Sequence, residues 1–347
     1  MTAISWTDET WNPTVGCTRV SAGCINCYAE HAAAMVNRTQ GERSVYRKLL
    51  RVVDGDPRWN GKVTFLSERL DIPLRWRKGR RVFVNSMSDL FHEKLTNEQI
   101  AAVFGVMASC PQHTFQVLTK RAARVCEWFR WVDADLARSP WIRDTRRPDH
   151  APAVHLCMEC FARQASTKVT FQEHVSKAWP LPNVHLGVSV ENREAMLERA
   201  PLLMQCPAAV HFWSAEPLIG DLGTIDPAHM PEWMIVGCES GAGMRRCDPA
   251  WLRSLRDQCA AAGRPFFLKQ AAEDREVCDE GCGEVVRYTV HGPTDATASC
   301  GCTVEGAEAC TPVGVMVGEG SRRKKQGVIE LPYLDGVQHA AFPEARS

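Results

Sequence analysis

Six short runs of β-prone residues, each closing in polar side chains, recur along the chain and restrict what it can fold into: "RVFVNSMSD" (81–89), "TFQVLTKR" (114–121), "NVHLGVSVEN" (183–192), "AVHFWSAEP" (209–217), "EWMIVGCESG" (232–241) and "RPFFLKQ" (264–270). Segments of helical periodicity lie between most of them, namely "TNEQIAAVFGVMASC", "RAARVCEWFRWV", "NREAMLERAPLLMQC" and "DPAWLRSLRDQCAAAG". A strand that is apolar on both sides must be covered on both, so such runs alternating with helices imply a parallel sheet with helices packed on it. The pattern predicts an α/β fold, and six units favour a barrel or partial barrel over an open sheet. Local signals agree: Thr96 stands three residues ahead of Gln99 as a capping box, Asp248 precedes Pro249, and the last helix stops at Gly263.

Folds of this kind collect functional groups where strands end and loops begin. The polar residues here sit at those ends: Asn85, Ser86, Ser88, Asp89, Thr119, Lys120, Ser189, Glu191, Asn192, Ser214, Glu216, Glu239, Ser240, Lys269 and Gln270. One such pair means only a turn or a helix cap. The same ending on strand after strand implies a shared polar mouth.

Two segments break the rhythm. Residues 133–180 hold "HLCMECF" with Cys157 and Cys160, and residues 273–327 are Cys-rich and end in a basic run. They read as an insertion and an appendage to barrel halves spanning 1–132 and 181–272, with a tail over 328–347. Segment 40–62 reads as a loop and short helix.

Among 347 residues, 41 basic and 41 acidic side chains cancel, so any nucleic-acid contact must come from a local patch. "RWRKGRR" (75–81) and "SRRKK" (321–325) are candidates, and each is equally readable as solvated surface. The N-terminus shows no basic segment followed by an apolar run, and no stretch approaches about 20 apolar residues, so the expectation is a cytoplasmic protein with no membrane partner. Thiols stay reduced in that compartment, and 16 cysteines then read as metal ligands or core residues. Cys110, Cys126, Cys206, Cys238, Cys247 and Cys259 stand alone and read as buried small apolar groups.

The stretch "GCTRVSAGCINCYAEH" (16–31) places Cys17, Cys24 and Cys27 within eleven positions with no fourth cysteine nearby. Thiolates in a reduced protein suit iron–sulfur clusters or zinc. A four-iron cluster held by three thiolates keeps one iron open for a substrate or cofactor, as catalytic zinc sites keep one position free. S-adenosylmethionine could occupy that iron, and one electron would split its sulfonium bond into methionine and a 5′-deoxyadenosyl radical. The alternatives are a structural zinc on Cys17, Cys24, Cys27 and His31, or three unligated thiols. A second group, Cys278, Cys282, Cys300 and Cys302, forms two close pairs separated by seventeen residues, near the spacing of a zinc ribbon. It suits a structural zinc, an auxiliary iron–sulfur cluster or a loose cysteine-rich loop, with Cys310, Cys157 and Cys160 as alternative ligands.

"ISWTDETWNPTVGCTRVSAGCINCYAE", "ERLDIPLRWRKGRRVFVNSMSDLFHE", "PQHTFQVLTKR", "LPNVHLGVSVEN", "RSLRDQCAAAGRPFFLKQ" and "LDGVQHAAFPE" resemble a phage- and bacterium-borne family labelled as a phage protein or domain of unknown function. That family is related to radical S-adenosylmethionine enzymes, with spore photoproduct lyase among the distant relatives. The resemblance covers about 4–132 and 181–272 plus the tail. It implies a partial (β/α)6-type radical S-adenosylmethionine barrel with Cys-rich insertions, a [4Fe-4S] cluster on Cys17, Cys24 and Cys27, S-adenosylmethionine as cofactor, and an electron donor such as flavodoxin or ferredoxin. The first cysteine gap is six rather than the usual three, Asn26 precedes Cys27, and Tyr28 follows it as the candidate adenine contact. By position Asn85, Ser86, Ser88 and Asp89 match residues that hold the methionine moiety. Glu191 and Glu239 are candidates for ribose or methionine groups, or else cap the helices that follow. Lys120, Glu216 and Lys269 are candidate substrate contacts, the lysines toward a carboxylate or phosphate.

The leading expectation is a radical enzyme that modifies or repairs a nucleobase, in DNA or as a nucleotide. Base chemistry in a duplex requires extrusion, and Trp59, Trp76 and Trp213 are candidate stacking partners, with core packing as the plainer reading. Radical modification of a peptide or small metabolite is the second reading. A non-catalytic, zinc-stabilised nucleic-acid-binding protein is the third.

Overall fold

The computed structural model describes residues 4–138, 151–165, 175–176, 178–240, 243–245 and 247–272, then the short strands at 276–277, 285–290, 296–299, 315–316, 322–324, 328–330 and 333–334, and residues 337–343. Cys278, Cys282, Cys300, Cys302 and Cys310 lie outside the described residues. The chain forms two compact units, one from residues up to 190 with 194–214, the other from 191–193 and 215–343.

The first unit is a parallel sheet with helices. Strands β1 (Glu9–Trp11), β2 (Arg81–Val84), β3 (Thr114–Thr119), β4 (Val184–Ser189) and β5 (Val210–Ala215) lie side by side in that order, all parallel. Four of these match the apolar runs; β1, three residues long, adds an edge that the sequence pattern did not announce. Helix α1 (Tyr28–Gln40) follows the cysteine loop. Helix α2 (Asn97–Ala108) is buried from Ile100 to Ala108, and the expected capping box closes its start: Thr96 Oγ1 accepts from Gln99 N at 3.2 Å and Gln99 Oε1 from Thr96 N at 3.0 Å. Helix α3 (Ala122–Arg138) follows β3.

The segment 133–180, expected as an insertion, belongs partly to this core. Helix α4 (Pro152–Gln164) buries Ala153, Val154, Cys157, Cys160 and Phe161, a stripe at three- and four-residue spacing. It approaches α2 so closely that a Cβ at Gly105 would stand 2.3 Å from the Cys157 carbonyl oxygen. Cys157 and Cys160 are therefore buried in the packing of α4. Helix α5 (Arg193–Leu203) follows β4 in the chain. Segment 40–62 holds the expected short helix as a single 3-10 turn over Gly41–Arg43, and beyond expectation it adds a hairpin of Leu50–Val53 and Asp56–Trp59 around Asp54 and Gly55, both at positive φ.

In the second unit β6 (Trp233–Gly237) and β7 (Phe266–Ala272) are parallel, with Met234 opposite Phe266. Residues 328–330 add antiparallel to β7, and 322–324 to them in turn. The tail is part of this core: Trp233 Nε1 donates to the Ala341 carbonyl at 2.9 Å, and the Phe342 ring lies 5.5 and 5.2 Å from Trp233 and Phe267. Between β6 and β7 in the chain runs α6 (Pro249–Ala261), opened by Asp248 accepting from Ala250 N at 2.8 Å and followed by Gly263 at φ +62°. The six lone cysteines are all buried, as expected. No helix among the described residues is long and apolar enough to cross a membrane.

Candidate functional site

The cysteine loop hangs on a short pairing of Thr14–Val15 with Thr64–Phe65. Gly16 follows at φ +90°, where a Cβ would stand 2.2 Å from the Lys62 carbonyl oxygen, so only glycine lets the chain turn there. Cys24 closes a tight turn over Ala22–Cys24, and Cys27 occupies the position before α1. Cys17 and Cys27 both pack against a small core of Val15, Ala33, Tyr46, Leu49 and Trp59. The six-residue gap is drawn in by Arg19, whose Nη2 donates to the Ile25 carbonyl at 2.7 Å and to Glu30 Oε2 at 2.6 Å. Glu30 is fully buried and also accepts from Trp59 N at 2.8 Å. Arg19, anchored on this buried carboxylate, thus ties the stretch between the first two cysteines to the turn between the last two.

Burial pushes the Cys17 thiol up to about 12; the Asp89 carboxylate adds to the shift and the Arg121 guanidinium opposes it. Burial also raises the Cys27 thiol, and the charge of Cys24 bears on both neighbours. Protonated thiols must lose their protons to bind metal, so occupation by metal would be coupled to proton release. His31 is exposed on α1, and among the described residues no group of three or more His, Cys, Asp or Glu is already gathered to hold a metal ion. The donor chemistry nonetheless fits an iron–sulfur centre: three soft sulfurs, half-buried, with the charge of Cys24 felt by the other two, on a loop fixed at both ends.

The loop lies on the C-terminal ends of β2 and β3. Tyr28 donates its hydroxyl to the Ser86 carbonyl at 2.5 Å, just past β2. Arg121, just past β3, reaches Cys17 Sγ at 3.8 Å through Nη1 and the Thr18 carbonyl and hydroxyl at 3.1 and 2.7 Å through Nη2. Asp89 holds this arginine at 2.8 Å and also accepts from Thr119 Oγ1 at 2.7 Å, Phe91 N at 2.9 Å and Lys120 N at 3.2 Å. A carboxylate has about four acceptor sites. Asp89 spends its sites on the protein, and so builds the floor of the site instead of reaching a ligand.

Other strand-end groups are less committed. Asn85 is buried at φ +62°; its Oδ1 accepts from Thr14 N at 3.4 Å, while Nδ2 has no partner among the described residues. A buried amide donor left unpaired costs about 1–3 kcal/mol, which a bound acceptor would recover. Ser86 Oγ donates to Asn12 Oδ1 at 3.2 Å, and Ser88 Oγ to the Thr14 carbonyl at 2.9 Å. The Lys120 ammonium is half-buried and forms no ion pair among the described residues.

In the second unit the predicted residues meet partners of opposite charge. Lys269 pairs with Glu216, and a Cβ at Gly237 would come within 3.3 Å of Glu216 and of Gln270. Glu239, buried, accepts from Arg245 Nε at 2.9 Å, Nη2 at 2.5 Å and backbone N at 3.0 Å. The buried Glu191 adds its field to that of Glu239 in raising the pKa of Arg245. Lys269 is thus one half of an ion pair rather than a free cation.

Two of the three candidate stacking tryptophans are core: Trp213 is fully buried, and Trp59 packs on Tyr46 at 6.4 Å. Trp76 is half-exposed but lies between the His113 ring at 5.6 Å and the Arg80 guanidinium at 5.3 Å. The "RWRKGRR" patch is largely neutralised, since Arg75, Arg80 and Arg81 pair with Asp71, Glu9 and Asp8. Sequence reasoning missed Arg19, Glu30, Arg121 and Arg245. Arg121 closes the run "TFQVLTKR", and its position at a strand end was the available signal.

Parallel strands carrying a thiol-rich loop and polar groups on their C-terminal ends define a mixed α/β protein with a strand-end site. The chain belongs to the family described as "Protein of unknown function (DUF5131)", which matches residues 1–343. No curated protein and no solved structure matches it.

Proposed function

We propose that the chain is a radical S-adenosylmethionine enzyme, related to spore photoproduct lyase, with a partial (β/α)6-type barrel, and that it acts on a nucleobase or DNA. The observation that supports this reading is the attachment of the loop that carries Cys17, Cys24 and Cys27 to the ends of β2 and β3 through Tyr28 and through Arg121, which meets Cys17. In this reading the three thiolates hold a [4Fe-4S] cluster and leave one iron for S-adenosylmethionine. Bound there, the pair would supply reductive cleavage of the sulfonium and a 5′-deoxyadenosyl radical.

The chain's own residues have separable tasks. Arg121 places a positive charge beside the Cys17 sulfur and favours its thiolate, while Asp89 fixes the direction of that arginine. Arg19 and Glu30 hold the loop closed across its long gap. Asn85 Nδ2 and Lys120 offer a neutral donor and a cation to an anionic group such as a carboxylate. Tyr28, tied by its hydroxyl to Ser86, presents its ring at the loop. Glu191, Glu239, Glu216 and Lys269 are the residues proposed to meet ribose, methionine or substrate groups.

Anaerobic reconstitution tests this. The expected result is about four irons with acid-labile sulfide per chain, and 5′-deoxyadenosine by mass spectrometry on adding S-adenosylmethionine and a flavodoxin- or ferredoxin-type donor, stimulated by DNA. Cys24→Ala should lose both iron and product. Zinc alone, bound through His31, would sink the reading in favour of a binding protein; product formation stimulated by a peptide or metabolite but not by DNA would replace the substrate.

A further inference from the structure

Among the described residues, six of the eight large apolar side chains that stand exposed lie between positions 20 and 53: Val20, Ile25, Tyr28, Met35, Val52 and Val53. The same stretch carries Arg38, Arg43, Lys48 and Arg51, all exposed and in no ion pair among the described residues. In a chain with 41 charges of each sign, unpaired cations gathered beside bare aliphatics are a local departure from neutrality.

The hairpin of Leu50–Val53 and Asp56–Trp59 gives this surface a shape. It is a two-stranded sheet of its own, exposed throughout 51–56. One face carries Leu50 opposite Trp59 and Val52 opposite Pro57. Trp59 anchors that face in the small core against which Cys17 and Cys27 pack, yet Val52 overhangs it at 76% exposure. The other face sets Arg51 directly opposite Arg58, a like-charge pairing that weakens a ladder. Arg58 is relieved by Asp56 at 3.1 Å and Glu30 at 3.7 Å; Arg51 meets no carboxylate among the described residues. Pro57 removes a backbone donor from one edge, which disfavours extension by a peptide strand there. A two-stranded ribbon exposed throughout 51–56, in a stretch (38–58) whose six basic side chains outnumber the acidic Glu42, Asp54 and Asp56, matches the major groove of a duplex, which admits such an element between two rows of phosphates.

We propose, building on the reading of a nucleic-acid substrate above, that this ribbon is the nucleic-acid docking element, with Arg43, Lys48 and Arg51 on phosphates and Val52 and Val53 against base or sugar surfaces. Because the ribbon is rooted in the core that supports Cys17 and Cys27, docking there brings the nucleic acid to the cysteine loop.

Fluorescence anisotropy of the full chain with labelled duplex DNA, across a potassium chloride series, tests it. Wild-type affinity should fall steeply with salt. The Arg43→Ala/Lys48→Ala/Arg51→Ala variant should bind about ten- to a hundredfold more weakly, with a log–log salt slope smaller by about 3. Val52→Ser should weaken binding with the slope unchanged, and both variants should keep the wild-type melting temperature and iron content. Wild-type affinity and slope in the triple variant would overturn the inference, as would a wild type that ignores DNA or that uses the ribbon for anionic vesicles or an acidic protein instead. A protein that binds DNA through the ribbon but takes up no iron keeps this inference and ends the radical reading; loss of DNA binding by the ribbon with 5′-deoxyadenosine formation intact does the reverse.

Discussion

The two units place charge at their strand ends in different ways. Around the cysteine loop, charges are spent on architecture: Asp89 and Glu30 are buried acceptors of several donors each, and Arg121 and Arg19 are held between carboxylate and loop. What remains toward a ligand among the described residues is an unpaired amide at Asn85 and one unpaired lysine, Lys120. In the second unit, charges meet as pairs, Glu216 with Lys269 and Glu239 with Arg245. The first arrangement suits a site whose geometry must not move, because each charge is fixed from several directions. The second suits exchange, since a ligand can replace one member of a pair without orphaning a network.

The sharpest way to break that contrast is Asp89→Ala. It removes an acceptor from Thr119, Phe91 N, Lys120 N and Arg121 at once and leaves a buried guanidinium without its main partner. The expected loss is about 3–5 kcal/mol in urea unfolding, with iron uptake lost as well. A loss below about 1 kcal/mol would show that the network does not bear on the fold. Gly16→Ala comes next: a side chain at φ +90° and 2.2 Å from a carbonyl oxygen should cost at least about 2 kcal/mol and reduce iron uptake without touching any ligand residue. Glu239→Gln should cost less, about 1–2 kcal/mol, because Arg245 keeps 30% exposure and can turn to water. Iron uptake should stay at the wild-type level; if it falls with Glu239→Gln as with Asp89→Ala, the two networks are not independent of each other.

How much of this is legible in the sequence depends on the range of the forces involved. The strands from Arg81 onward and their helices are written in local apolar runs, and the caps at Thr96 and Asp248 in single residues, so these are read correctly. Strand β1 is only "ETW", too short for a pattern, and becomes a strand through its parallel register with Val82 to Val84. The hairpin is masked because "YRKLLRVV" also has helical spacing, although Asp54-Gly55 spells its turn. The cysteines are visible from spacing, but Arg19, Glu30 and Arg121 are not. Arg19 meets Glu30 across 11 positions, Glu30 meets Trp59 across 29 and Arg121 meets Cys17 across 104, and no local rule pairs them.

The smallest effect concerns a histidine far in sequence from the cysteines. His113 is buried immediately ahead of β3, with Nε2 donating to the Pro73 carbonyl at 3.2 Å and Nδ1 lacking a partner among the described residues. Burial, helped by the Arg80 charge, holds its pKa below the ordinary histidine value against opposing backbone hydrogen bonds. The folded chain therefore resists a proton that the unfolded chain accepts. Stability is fully present above the unfolded value near 6.5 and declines as pH falls through it toward the lower folded value, by up to about 1.4 kcal/mol per pH unit for one histidine. His92, pushed down to about 4 by burial and by Arg121, adds the same sign near the cysteine loop. Urea unfolding at about pH 7 and about pH 5.5 should show the decline, and His113→Gln, which keeps a donor for Pro73, should flatten it by one histidine's share. An unchanged slope in that variant would assign the whole decline to His92, and so to the region where charges are fixed.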